Sequence, residues 1–254
     1  MTETAYNLLL TSMVAMACVV FVALYFVKAG YGKFRTPGWG FSINNKLAWV
    51  LMEAPVFLTM AVLWLESSDK WQLPQLVLFL LFELHYFQRS FVFPLLLKGK
   101  GMMPVSIMLM GVTFNVVNGM MQAGGLFVFP PAEYASGASY LLQPRTLAGI
   151  AVFFVGMAVN LHSDHVIRSL RKPGDTRHYL PEKGMYRYVT SANYFGELVE
   201  WTGFAIASST WASWVFVVWT AANLVPRAAA IYNRYAEEFG EAVRRRKRII
   251  PFVY

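Results

Sequence analysis

Long apolar runs separated by short polar connections dominate the chain, and this pattern predicts membrane-spanning helices. A helix needs about 20 residues to cross the hydrocarbon core of a bilayer. Runs of roughly this length occupy residues 7–27, 47–65, 73–97, 103–124, 145–167, 190–207 and 209–231. The last two runs meet at residues 207–209, so they are either a tight hairpin of two helices or one long interrupted helix. Six spans is therefore the alternative to seven.

The positions of Lys and Arg decide between the two counts. With seven spans and an external N-terminus, the outside loops hold only Lys70 and Arg145 as basic residues. Most other cations then lie in the C-terminal tail and in residues 28–46, 98–102 and 168–189. Because Lys and Arg accumulate in cytoplasmic loops, we predict an all-α polytopic membrane protein with seven transmembrane helices, an external N-terminus and a cytoplasmic C-terminus. Residues 1–254 are expected to form a single membrane-embedded domain.

Composition supports this interpretation. Hydrophobic residues make up 57% of the chain and charged residues 14%, which is too few charges for a water-facing surface. The net charge of +8 could indicate nucleic-acid binding. However, the run R-R-R-K-R at 244–248 follows a predicted span closely, and we interpret it as an anchor for anionic lipid or a phosphate-binding surface. We therefore expect membrane lipid, and no nucleic acid, as a partner.

Polar side chains form a stripe along the sixth apolar run. Asn193, Glu197, Glu200 and Trp201 recur at the spacings i, i+4, i+7 and i+8. On a helix these positions share one face, and carboxylates at membrane depth need a protein interior or a wet cavity. The sequence therefore predicts that a functional site lies where this face points.

A second polar stripe follows the fifth run. It consists of Asn160, Asp164, Arg168 and Arg171, at near-i+4 spacing. The Asp164 to Arg168 spacing is also that of an ordinary, weakly stabilising ion pair at a helix end. The last run adds Arg227, Arg234 and Tyr235 at the same leaflet. Together these residues predict a polar cavity that opens to the inside.

The second and third runs carry ionisable residues at membrane depth. Glu53 lies mid-span, and an intramembrane acid is either a functional group or a buried group that orients a neighbouring helix. Glu83, Tyr86 and Arg89 fall on one side of the third run, whereas His85 points elsewhere and is interpreted as a core residue.

Metal and nucleotide motifs are otherwise sparse. His162 and His165 have a spacing that can support a metal, but no third convergent ligand is evident, so we expect no metal site. The single Cys18 excludes an intrachain disulfide. No G-x-G-x-x-G follows a strand, so a dinucleotide would not be held by a Rossmann domain.

Several sequence blocks carry a resemblance over nearly the whole chain. They are G-Y-G-K at 30–33, M-E-A-P at 52–55, L-H-Y-F-Q-R at 84–89, N-G at 118–119, N-L-H-S-D at 160–164, L-R-K-P-G at 170–174, A-N-Y-F-G-E at 192–197, E-W at 200–201 and I-P-F at 250–252. With these blocks the chain resembles the steroid 5-alpha-reductase family, the 3-oxo-5-alpha-steroid 4-dehydrogenases, and we expect a bacterial homologue.

The resemblance implies a seven-helix reductase that takes NADPH from the cytoplasm and saturates the C4–C5 double bond of a 3-oxo-4-ene steroid. It implies that Glu53 and Tyr86 hydrogen-bond the substrate ketone. The residues that we assign to the cofactor, from the resemblance and from the polar stripes, are Lys33, Arg89, Lys100, Asn160, Asp164, Arg168, Arg171, His178, Tyr179, Asn193, Glu197, Trp201, Arg227 and Tyr235.

Departures from the family pattern bear on specificity. Met52 precedes the acid where animal enzymes often have Gln, Met110 replaces an Arg, and Ile231 replaces a His. His178-Tyr179 stands where Tyr-Arg occurs. The substrate is therefore a steroid or another flat hydrophobic enone.

Two rival functions remain open from the residues alone. One is a membrane methyltransferase of the isoprenylcysteine type, which would bind S-adenosylmethionine instead of NADPH. The other is a transporter, since intramembrane carboxylates also mark ion paths, but the inverted repeats that many transporters carry are not visible. For the reductase we expect a monomer in a bacterial inner membrane or, in a eukaryote, in the endoplasmic reticulum.

Overall fold

The computed structural model describes residues 1–27, 39–98, 101–170 and 179–254, and these are mostly helical. Six helices among the described residues are long and apolar enough to cross a membrane. They are α1 (Glu3–Phe26), α2 (Asn45–Glu66), α3 (Leu73–Leu96), α4 (Val105–Val128), α5 (Pro144–Ser169) and α7 (Trp211–Phe239). Between the last two lies α6, Ala192–Ser208, with 17 residues. The chain is thus an all-α polytopic membrane protein, and each predicted apolar run coincides with one of these helices.

The α6–α7 boundary settles whether the last two runs are one helix or two. Helix α6 ends at Ser208, and Ser209 takes a left-handed conformation with φ 54° that stops the helical hydrogen bonding. Thr210 then caps α7, because its Oγ1 accepts a hydrogen bond from the Ser213 backbone N–H at 3.2 Å. The two runs therefore form a tight hairpin of separate helices.

Helices α5 and α6 pack antiparallel with their backbones in near contact. A Cβ added to Gly156 would lie 2.1 Å from the backbone nitrogen of Glu200, and one added to Gly196 would lie 2.4 Å from that of Asn160. Gly149, seven residues before Gly156, and Gly203, seven residues after Gly196, make the same approach. Only glycine leaves room for this spacing. The close approach brings the polar stripes of the two helices together.

Helix α4 approaches α2 through a similar stripe. Gly111 and Gly119 face Met52 and Thr59 of α2, with a Cβ at Gly119 falling 2.9 Å from the Thr59 Cβ. Asn115 lies midway between these glycines, one helical turn from each, and so points toward α2. This packing decides which α2 side chain Asn115 can reach.

An aromatic cluster fills the centre of the bundle. Trp201 is 1% exposed and its ring lies 4.6–6.4 Å from six other aromatic or imidazole rings. Those rings belong to Phe82, His85, Tyr86, Phe153, Phe204 and Phe216. Helices α3, α5, α6 and α7 therefore share one core.

Short elements flank the helices. Strand β1 (Ser42–Asn44) pairs antiparallel with β2 (Met102–Pro104). Two 3₁₀ turns (Ala132–Ser136 and Gly184–Arg187) and two short helices (Ala138–Leu141 and Glu241–Arg244) complete the described part of the chain, besides the π turns within α3 and α4. The two strands are a small departure from the all-α prediction, since three-residue strands leave no readable alternation in the sequence.

The C-terminal basic run is tied to the connection before α6. Lys247 donates its backbone N–H to Tyr188 at 2.8 Å, and Thr190 donates to the Lys247 carbonyl at 2.9 Å. The Arg246 guanidinium donates to the Pro181 carbonyl and lies 3.6 Å from a Glu182 carboxylate oxygen. Burial lowers the pKa of Arg246, and the Glu182 charge opposes that shift. Part of the basic run interpreted as a lipid anchor or phosphate-binding surface thus holds the C-terminal segment against the connection before α6.

Candidate active site

Glu53 of α2 and Tyr86 of α3 are both hydrogen-bonded by amides of α4. The Asn115 side chain donates to Glu53 Oε2 at 3.2 Å and to the Met52 carbonyl at 2.7 Å. Three residues on, the Asn118 amide donates to the Tyr86 hydroxyl oxygen at 3.1 Å. One face of α4 therefore presents both predicted ketone-binding groups.

The direction of these hydrogen bonds leaves donor capacity unused. The Tyr86 hydroxyl accepts from Asn118, so its own hydrogen remains available for a ligand. Glu53 uses Oε2 as an acceptor, which leaves Oε1 for a proton that it can share with a ligand. The charge of Glu53 lies within electrostatic reach of both Tyr86 and Arg89. The arrangement suits a ligand oxygen that accepts two hydrogen bonds.

Arg89 joins two acids from neighbouring helices. Its Nη1 lies 3.4 Å from Asp164 Oδ2 of α5, and its Nη2 lies 3.9 Å from Glu197 Oε2 of α6. The guanidinium also lies 4.9 Å from the Trp49 ring centroid and 4.6 Å from that of Phe93. Arg89 sits in the π turn Gln88–Val92 within α3, an irregularity that often marks functional positions.

The amides of the two polar stripes complete this cluster. Asn193 donates to Asp164 Oδ1 at 3.1 Å, and Asn160 donates to the Asn193 backbone carbonyl at 2.9 Å. Tyr186 of the preceding 3₁₀ turn donates to Asn193 Oδ1 at 3.4 Å, and burial raises its pKa well above the ordinary value. The structure thus brings together Arg89, Asn160, Asp164, Asn193 and Glu197.

Other predicted cofactor residues lie around this cluster. Arg168 follows Asp164 by one turn, and its buried Nη1 finds no hydrogen-bond partner among the described residues. Arg227 lies 5.9 Å from the Tyr194 ring centroid. Tyr235 is buried with its ring 5.7 Å from that of Phe239, and Tyr179 is partly buried in the connection before α6.

Trp201 is placed differently from Asn193 and Glu197, which belong to the same stripe. It lies in the aromatic core against His85 and Tyr86, and its Nε1 has no hydrogen-bond partner in the described part of the chain. Four further predicted residues, Lys33, Lys100, Arg171 and His178, lie outside the described residues.

Sequence reasoning missed the polar side chains of α4. Asn115, Asn118 and Gln122 are all buried and recur at i, i+3 and i+7. That spacing is the same signal that exposed the stripes on α5 and α6. The amides were overlooked because they carry no charge, although N-G at 118–119 belongs to the blocks of the resemblance.

His85 also has a partner that the sequence did not reveal. Its Nδ1 lies 2.8 Å from Glu200 Oε1, and both side chains are buried. The interpretation of His85 as a satisfied core residue is confirmed. Glu200 belongs to the same stripe as Glu197, yet it faces α3 through this pair and not the Arg89 cluster.

Comparison with known proteins shows the family. A sequence model described as 3-oxo-5-alpha-steroid 4-dehydrogenase matches residues 101–254, well over half of the chain. The chain belongs to the 3-oxo-5-alpha-steroid 4-dehydrogenase family. It is 37% identical over 262 residues to 3-oxo-5-alpha-steroid 4-dehydrogenase 1 of Bos taurus, covering 99% of this chain and 99% of the relative.

Two further members of the family show the same extent. Identity is 36% to steroid 5-alpha-reductase DET2 of Gossypium hirsutum, over 99% of this chain and 98% of the relative. It is 35% to 3-oxo-5-alpha-steroid 4-dehydrogenase 1 of Homo sapiens, over 94% and 92%. Helices α1 to α3, which precede the matched family region, thus lie almost entirely within full-length similarity to members of this family. Membership favours the reductase interpretation over the methyltransferase and the transporter.

Proposed function

We propose that this protein reduces the C4–C5 double bond of 3-oxo-4-ene steroids with NADPH. Its family membership and the steroid 5-alpha-reductases among its relatives support this activity. The observation that carries the residue assignment is the pair of α4 amides, which hold Glu53 and Tyr86 with donor capacity left over. A steroid 3-ketone is an acceptor-only group on an apolar body, and it needs such donors.

The chemistry requires negative charge to develop on the ketone oxygen. When bound, NADPH supplies a hydride that forms a C–H bond at C5, while the C4–C5 π electrons move toward the carbonyl and give an enolate. Tyr86 and a protonated Glu53 donate to that oxygen, which stabilises the transition state more than the enone. A proton from water then adds at C4 and the carbonyl reforms. The products are the saturated ketone and the oxidised nicotinamide.

The charged cluster is the proposed place for the cofactor. Asp164, Glu197 and the side-chain oxygen of Asn193 can accept from ribose hydroxyls and from a carboxamide. Cations suit the nucleotide phosphates, and the buried Arg168 Nη1, which has no partner among the described residues, is a donor that an anionic group would satisfy. Arg227, Tyr235 and Tyr179 extend this surface, as would Lys33, Lys100, Arg171 and His178. We propose that Trp201 acts behind Tyr86, by supporting its ring.

The proposed topology has seven transmembrane spans, with α6 as the shortest. Its 17 residues would span about 26 Å, close to the thickness of the hydrocarbon core. The charge distribution then gives an external N-terminus and a cytoplasmic C-terminus. The cofactor cluster would face the cytoplasm, in a bacterial inner membrane or the endoplasmic reticulum, and the whole chain would work as one monomeric domain.

Purified protein with NADPH and a 3-oxo-4-ene steroid tests the activity. We expect loss of cofactor absorbance that depends on the steroid, together with a 5-alpha-reduced product. A panel with other flat enones and with NADH defines specificity. Binding of S-adenosylmethionine without oxidation of NADPH by any enone would contradict the proposed function.

A further inference from the structure

A continuous chain of buried polar side chains connects Tyr86 to the α6–α7 hairpin. Tyr86 accepts from Asn118 at 3.1 Å, and Asn118 Oδ1 accepts from Gln122 Nε2 at 3.4 Å. Gln122 Oε1 in turn accepts from the Ser213 hydroxyl at 3.0 Å. The members, with Ser208 and Thr210 around Ser213, are each at most 5% exposed. Networks of this kind are fixed by partners rather than by solvent.

One backbone group sets the direction of the whole chain. Gln122 Nε2 donates to the Ala212 carbonyl at 3.0 Å, and a carbonyl can only accept. The amide nitrogen of Gln122 must therefore face Ala212, which also places it toward Asn118. Asn118 must then present its oxygen to Gln122 and its nitrogen to Tyr86. The hydroxyl groups near Gln122 are consistent with this orientation of its amide. Ser213 donates its one hydroxyl hydrogen to Gln122 Oε1 and accepts from Ser208 at 2.8 Å.

The orientation of the Asn118 amide determines where the hydroxyl hydrogen of Tyr86 can point. With Asn118 donating to it, the Tyr86 oxygen has no acceptor on the α4 side, and its hydrogen must point elsewhere. We propose that Gln122 is a positioning residue, which acts through Asn118 to keep the Tyr86 hydroxyl hydrogen directed at the substrate ketone. Without it, the Asn118 amide can turn its oxygen toward Tyr86 and take that hydrogen away from the ketone.

This inference rests on the proposed function, and Gln122→Met tests it. The change keeps a side chain of similar length but removes both the oxygen and the nitrogen of the amide. We expect kcat for the enone to fall by about tenfold or more, since part of an oxyanion donor is lost. The KM for NADPH should stay within about twofold, because the hydrogen bonds of Gln122 among the described residues go to Asn118, Ala212 and Ser213 and not to the Arg89 cluster. Gln75→Met is the matched control, because it removes a buried glutamine that lies on α3, about three turns from Tyr86, and it should leave kcat unchanged.

A double variant separates positioning from a structural role. In a Tyr86→Phe background there is no hydroxyl to direct, so adding Gln122→Met should cost no further kcat. A structural defect would instead reduce kcat by the same factor in both backgrounds. Equal factors in the two backgrounds, or wild-type kcat in Gln122→Met, would overturn the proposal.

The carbonyl stretch of a bound 3-oxo steroid gives a readout without turnover. A ketone that accepts from Tyr86 absorbs at lower frequency, and isotope labelling at C3 isolates the band. We expect this shift in the wild type, a reduced shift in Gln122→Met and no dependence on Gln75. Asn118→Leu is a second variant that offers the phenol no acceptor, and it should keep more of the shift than Gln122→Met.

The same readout distinguishes the two proposals. A wild-type protein that shows a Gln122-dependent shift but reduces no enone would support the positioning role and contradict the proposed function. A protein that reduces the enone but shows the full shift in Gln122→Met would contradict the positioning role alone.

Discussion

Around Glu53 and Tyr86 the hydrogen-bond partners among the described residues are neutral amides, whereas around Arg89 they are the carboxylates of Asp164 and Glu197. Neutral amides can direct a hydrogen without placing a fixed charge beside an apolar ligand. Carboxylates and guanidinium groups at membrane depth need each other, or a polar ligand, to offset desolvation. The difference fits the proposed roles, in which one end of the site takes a steroid ketone and the other takes a nucleotide.

The largest effect is expected from changes at the neutral end of the site, which consists of Glu53, Tyr86 and their amide partners. Tyr86→Phe deletes the donor but keeps the ring and its packing, and kcat for a 3-oxo-4-ene steroid should fall about 10²–10³-fold, as for loss of an oxyanion donor. Glu53→Gln exchanges the acidic O–H for a weaker N–H donor at the same place, so it should lower kcat by a smaller factor. Steady-state kinetics with saturating NADPH measure both.

The double variant is the internal check on that pair. If both groups stabilise one developing oxyanion, Tyr86→Phe with Glu53→Gln should lose much less than the product of the single losses. Fully multiplicative losses would mean that the two residues act separately.

The next largest effect is expected from a change at the charged end of the site, the cluster around Arg89. Asp164→Asn removes one carboxylate from Arg89, and hydrogen bonds to charged groups are worth about 1.5–3 kcal/mol. We expect the KM for NADPH to rise roughly 10- to 100-fold while kcat at saturating cofactor changes far less. A titration of NADPH without steroid, followed by protein fluorescence, measures the affinity. Wild-type affinity in this variant would remove Asp164 from the cofactor site.

A third change separates the helices that carry the charged end. Gly156→Ala places a methyl group against the α6 backbone, and such overpacking costs about 1–3 kcal/mol. We expect a lower Tm in detergent and weaker NADPH binding. Gly101→Ala is the control, because a Cβ there would meet Asn45 at an ordinary 3.6 Å. Equal Tm losses in both variants would argue against the tight α5–α6 contact.

The smallest effect concerns an ion pair that resembles the charged end only in composition. Arg145 Nη2 lies 2.7 Å from Glu133 Oε2, but both side chains are about half exposed. Exposed pairs contribute about 0–1 kcal/mol, so Arg145→Ala should change neither Tm nor NADPH affinity appreciably. A large loss of affinity in Arg145→Ala would show that ion pairs affect the site regardless of burial.

The sequence predicted the helices because run length and charge asymmetry are direct consequences of the bilayer. It also predicted the stripes that carry Asp164 and Glu197, because charged residues are easily recognised within apolar runs. It placed the junction of the last two runs at residues 207–209, where α6 ends, but not the left-handed conformation of Ser209 that stops the helix. Nor could it identify the partner of His85, which depends on how α3 packs on α6. The sequence did not reveal the role of Asn118, because that role depends on which groups its amide oxygen and its amide nitrogen contact.

NADPH binding to Tyr86→Phe and Asp164→Asn, titrated side by side without steroid, tests most directly whether the two ends of the site act separately. We expect wild-type affinity in Tyr86→Phe despite its lost turnover, and weakened affinity in Asp164→Asn. If Tyr86→Phe lost cofactor affinity in proportion to its lost kcat, the two ends would not be separate, and the assignment of Tyr86 to the ketone would be wrong.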